Sequence, residues 1–114
     1  MRQDVKELAD AMEAGWKLAP EMCDLYFNDK FYPKSDEVIS SCCAQGHALL
    51  GIGSRNVDDR SVYFPILYNQ MVQKIDRDGK PYELMLCSAI DDLVIGYKWN
   101  TPRVVRWLRT HQND

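Results

Sequence analysis

Four sets of residues in this chain have types and spacings that could do chemistry. Cys43 and His47 are four apart, which on a helix points both side chains the same way. A thiolate beside an imidazole begins a nucleophilic site. With Cys23 and Cys87 the pair could make a four-ligand zinc centre. No Cys-x-x-Cys pair accompanies them, and small thiols pack readily in cores. Structural packing is therefore the expected use, and neither a metal nor a cofactor is expected.

The second set is Asp91 and Asp92, which interrupt the apolar run Ala89 to Ile95. A carboxylate held among apolar neighbours needs a partner, or else acts as an acid, a base or a ligand anchor with a raised pKa. Trp99 lies close after it in the chain. A small-ligand or enzymatic pocket would gather Cys43, His47, Asp91 and Trp99. The third set is Arg103, Arg106 and Arg109, a basic stripe at steps of three that a DNA-binding accessory protein could use. Residues 1–40 carry nine acids against five bases, so pairing with acidic neighbours is the plainer use of the stripe and nucleic acid is an unfavoured partner. The fourth set is aromatic: Tyr26, Phe27, Phe31 and Tyr32, with Trp107 near the C-terminus. These could pack in the core or form a contact surface for a protein partner.

The elements that must position these groups read as helices. Residues 4–18 place Val5, Leu8, Ala9, Met12 and Trp16 on one face, and Asp4 and Glu7 have the spacing of a capping box. A short helix over 21–28 and a loop follow. Residues 36–52, with Ser35 as N-cap, are apolar or small around most of their circumference, the mark of a helix central to a bundle. Gly46 within it suggests close approach of a neighbouring backbone or ring. A third helix runs from Ser61 to about Ile75, with Pro65 in its first turn. A fourth runs from Pro81 to Ile95. The last is capped by Asn100 or Thr101, with Pro102 near its start. The turn Asp76-Arg77-Asp78-Gly79-Lys80-Pro81 keeps a second option open: a β-hairpin near 72–86.

The bulk numbers agree with one domain. The chain has 114 residues, 46% hydrophobic and 27% charged, with a net charge of −3. This composition argues against disorder and against a generally basic nucleic-acid coat. No apolar run approaches a membrane span, the N-terminus lacks a secretory pattern, and all four cysteines are expected reduced. A cytoplasmic setting without membrane association follows as the expectation. Phosphate-loop, dinucleotide and nucleophile-elbow motifs are absent from the sequence.

Two segments resemble an uncharacterised family of small helical domains of unknown function from bacteria and phages. One is Cys43-Ala44-Gln45-Gly46-His47-Ala48-Leu49. The other is Ile90-Asp91-Asp92 followed by Thr101-Pro102-Arg103-Val104-Val105-Arg106-Trp107-Leu108. His47 stands where that family has a small residue, and Asp91 where it has Asn. The resemblance implies a helical fold and a mobile-element or phage-like origin, and transfers no catalytic residue. The expectation is an all-α bundle of four to five helices, with an α+β fold containing the hairpin as the alternative. Its expected function is a small binding or interaction module, homodimeric or bound to a protein partner, with its contact surface at 25–32 and Trp107.

Overall fold

The amphipathic period at the N-terminus produces the helix it predicts. In the computed structural model, which describes residues 2–75 and 77–111, α1 spans Gln3–Leu18 and buries Val5, Leu8, Ala9 and Met12. Its start differs from the capping-box expectation. Arg2 takes the N-cap position without a side-chain cap bond, and Asp4 lies in the first turn, paired to the Arg2 guanidinium at 2.7 Å.

The expected helix over 36–52 is half as long. Only α2, Ala44–Gly51, is helical, and Cys43 rather than Ser35 is its N-cap. The preceding residues are extended and laid against 21–28. Cys42 accepts from the Cys23 amide and donates to the Glu21 carbonyl, both at 3.1 Å. No helix forms at 21–28 either. Phe27 and Lys30 exchange backbone hydrogen bonds around Asn28 and Asp29, both at positive φ, a type I′-like turn that short polar residues tolerate. The Asn28 side chain then stitches the loop together. It accepts from the Ser40 amide at 2.8 Å and donates to Glu37 and to the Val38 carbonyl, each at 2.7 Å. These bonds and Lys30 hold the Glu37 carboxyl at about 2.

The region 61–95 contains the largest correction. The all-α reading fails here, and the α+β alternative describes the fold. Single helical turns α3, Arg60–Tyr63, and α4, Ile66–Asn69, are separated at Pro65, whose ring cannot continue the preceding turn. The chain then extends as β1, Met71–Ile75, and returns as β2, Pro81–Met85. The strands are antiparallel, with Met71 opposite Met85 and Gln73 opposite Glu83. Gly79 sits at φ +79° in the connecting loop, a conformation glycine adopts without a Cβ penalty. Next come α5, Leu86–Asp91, and a π-helical turn, Asp92–Gly96. The last helix, α6, Thr101–His111, is capped by Asn100, whose Oδ1 accepts from the Arg103 amide at 3.0 Å.

One continuous core results, with α2 at its centre. Residues Ala44 to Leu49 are all buried. The crossing of α1 over α2 is close enough that a Cβ built on Gly15 would lie 1.8 Å from the His47 carbonyl oxygen, and one on Gly51 2.0 Å from that of Ala11. Glycine is what lets these backbones meet. Among the described residues no helix is long and apolar enough to cross a membrane.

Candidate functional site

His47 is fully buried and ties three parts of the chain together. Its Nε2 is 2.8 Å from the Ala19 carbonyl and its Nδ1 2.6 Å from the Thr101 hydroxyl. A carbonyl can only accept, so Nε2 carries the proton and Nδ1 accepts from Thr101. The Trp16 ring meets the imidazole edge-on at 5.3 Å. Burial disfavours the imidazolium and pulls the pKa down to about 4, against a smaller opposing contribution from the Ala19 hydrogen bond. With both nitrogens engaged and the ring neutral, His47 joins α1's end, α2 and α6 rather than activating a nucleophile.

Cys43 is likewise built into the interior. Its Sγ accepts from the Gly46 amide at 3.4 Å, and burial pushes the thiol up to about 12. It stays protonated at neutral pH and serves as the N-cap of α2. Cys42 is also pushed up by burial. The zinc arrangement is not assembled: among the described residues no three His, Cys, Asp or Glu side chains converge to hold a metal ion.

Asp91 enters a polar cluster that passes through α2. Its Oδ1 accepts from Gln45 Nε2 at 2.8 Å, and the same amide donates to the Cys87 carbonyl at 3.1 Å. Gln45 Oε1 accepts from Arg60 Nη1 at 2.9 Å. Arg60 also donates to the Tyr26 hydroxyl, and its guanidinium carbon lies 4.8 Å from the centroid of that ring. Burial raises Asp91, while Arg60 and the Gln45 bond oppose the rise. Tyr26 is pushed up to about 12 by burial. Gln45 and Arg60 were not singled out from the sequence. Gln45 left a signal, as the one long polar side chain between Cys43 and Leu50 apart from His47; Arg60 left none, because a polar loop hides it.

Trp99 stands apart from this cluster. It lines a groove of about 180 Å³ with Met22, Cys23, Asp24, Val94 and Lys98, and its ring faces the Arg103 guanidinium at 4.2 Å. Asp91 and Cys43 thus lie near one polar cluster, while His47 and Trp99 are held by other contacts. The arginine stripe also divides. Arg109 spans to Asp10 and Glu13 on α1, each at 2.8 Å, Arg103 packs on Trp99, and Arg106 is exposed.

The aromatic set is split by the fold. Tyr26 and Phe27 are buried, Trp107 is half-buried against the core, and only Phe31 and Tyr32 are exposed, at 47% and 67%. A second apolar surface, outside the expected contact residues, lies on the hairpin. Val72 is buried beneath it, while Met71, Ile75 and Met85 on its outer face are 44%, 73% and 40% exposed. The Asp-Gly turn between the flanking segments Met71 to Ile75 and Tyr82 to Leu86 was its sequence signal. No family model, no curated protein and no solved structure matches this chain.

Proposed function

We propose that the chain is a small binding module that works through protein contact, as a homodimer, with the β1/β2 hairpin as its contact element. The observation that carries this reading is the hairpin's outer face, where Met71, Ile75 and Met85 turn to solvent on a ribbon of only two strands. A two-stranded ribbon is marginal alone, its open edges invite further pairing, and exposed apolar side chains on it favour a partner. A cytoplasmic setting suits the four free thiols, since such thiols persist in reducing compartments.

The two other readings draw less support. A nucleophilic pocket needs an available imidazole and a thiol of low pKa, and both groups are committed to packing. A DNA-binding face needs free arginines, and Arg109 is committed to α1. Sedimentation velocity from low to high micromolar concentration tests the proposal. A shift from monomer to dimer is expected, and a monomer throughout the range overturns it. Titration with duplex DNA at low salt, where phosphate contacts are strongest, is expected to give no binding.

A further inference from the structure

We propose that two copies of the chain pair antiparallel along the outer edge of β1, about a two-fold axis at Gln73. The inference rests on the reading of the chain as a self-associating module and specifies where the copies meet.

The ladder decides which backbone groups are free. Leu86 donates to the Gln70 carbonyl at 2.8 Å, one step beyond the Met71–Met85 pair. Hydrogen-bonded and non-hydrogen-bonded pairs alternate in an antiparallel ladder. Val72–Leu84 and Lys74–Tyr82 are therefore the bonded pairs. The amides and carbonyls of Met71, Gln73 and Ile75 point away from β2, as do those of Glu83 and Met85. Pro81 falls at a non-bonded position, where its missing N–H costs the ladder nothing.

The two free edges are not equivalent. A pair of β2 edges centred on Glu83 would set two carboxylates face to face, and Pro81 would leave each end without a donor. A pair of β1 edges centred on Gln73 sets two neutral amides face to face, Met71 against Ile75 of the second copy, and Ile75 against Met71. Each of these three positions faces its mate in bonded register, so the outward amides and carbonyls find partners in one continuous four-stranded sheet. The Met71 carbonyl now accepts from Gln70 Nε2 at 3.2 Å, an exposed contact that a strand amide can replace. Lys74, the one charge in β1, lies on the opposite face, with its Nζ 5.7 Å from the Tyr97 ring centroid. A β1-to-β2 contact between copies is heterologous and leaves one edge of each copy free to add another. The β1 pair is isologous and complete as a dimer, and its self-complementary edge, with Met71 and Ile75 apolar and Gln73 uncharged at the axis, suits a second copy as the occupant.

Charge exchange at position 73 tests the axis. Gln73→Lys and Gln73→Glu, each alone, place like charges opposite one another and are expected to weaken self-association about tenfold or more. Mixed one to one, they are expected to restore it as a heterodimer. In the unmodified protein, the amides of Gln73 and Ile75 are expected to gain protection from hydrogen exchange as concentration rises, while those of Glu83 and Met85 do not. Single variants that associate like the parent, a mixture that behaves as its components, or protection confined to β2 overturns the inference. If dimers form without responding to position 73, the axis is wrong and the module reading stands. If the parent chain is monomeric throughout, both fail.

Discussion

At position 91 the fold holds a carboxylate where a neutral side chain would cost less. Burial raises its pKa above the usual carboxylate range, so the folded state binds its proton more tightly than the unfolded chain does. Stability contributed by the protonated form is lost as pH rises through the folded pKa. Asp91→Asn keeps an acceptor for Gln45 Nε2 and removes the charge. At neutral pH this variant is expected to be more stable than the parent. The gain should vanish in acid below the unfolded pKa, and urea titrations across that range measure both parts. His47 has the opposite slope. Its pKa falls from 6.5 to about 4 on folding, so the unfolded chain takes up the proton first, and stability drains away as pH falls from 6.5 to about 4. The loss reaches about 3 kcal/mol at the acid end. His47→Ala is expected to abolish this pH dependence and to cost about 3–5 kcal/mol at neutral pH. It opens a buried space and strands the Ala19 carbonyl and the Thr101 hydroxyl. Chemical denaturation at several pH values separates the two effects.

At the scale of elements, the close glycine contacts of α2 carry the architecture. On an exposed helix, Gly→Ala gains about 1 kcal/mol of propensity. At Gly15 and Gly46 the added Cβ meets backbone, 1.8 Å from the His47 oxygen and 2.0 Å from the Tyr26 oxygen. Backbone cannot step aside as a side chain can, so Gly15→Ala and Gly46→Ala are each expected to lose about 2 kcal/mol or more. Gly96→Ala, with nothing within 4 Å of the new atom, should stay near neutral. Denaturant midpoints compare the three. The elements legible in the sequence were those with one periodic apolar face, α1 and α6, together with the turn that announced the hairpin. The segment 36–43 misled because its apolar residues, Val38, Ile39, Cys42 and Cys43, also fit helical spacing. The segment is instead held to 21–28 by the backbone groups of Ser41 and Cys42, which bond to Asn28, Cys23 and Glu21 across 13 to 21 positions of sequence, and local periodicity does not record such pairing. The site was legible in part for the same reason. The uncommon residues Cys43, His47 and Asp91 stood out, but their partners Ala19, Thr101, Gln45 and Arg60 are distant in sequence, and those partners determine what each group can do.

At the scale of the whole molecule, the acidic face of α1 and the basic face of α6 neutralise each other through Arg109, Asp10 and Glu13. These charges are paired within the fold, while the hairpin keeps Met71, Ile75 and Met85 exposed beside the open β1 edge. If two copies share that edge, unfolding is coupled to dissociation, and stability depends on protein concentration. Mass action then raises the thermal midpoint with concentration, by about 2–5 °C for each tenfold increase in a domain of this size. Gln73→Lys makes no change to the core, because the Gln73 side chain is exposed. It is expected to flatten the concentration dependence while matching the parent's midpoint at the lowest concentration. Differential scanning calorimetry at three concentrations distinguishes this from a simple loss of stability, which would lower the midpoint equally at all three. A parent midpoint that does not move with concentration would place the entire stability of the fold within one copy and leave the hairpin edge without a mate.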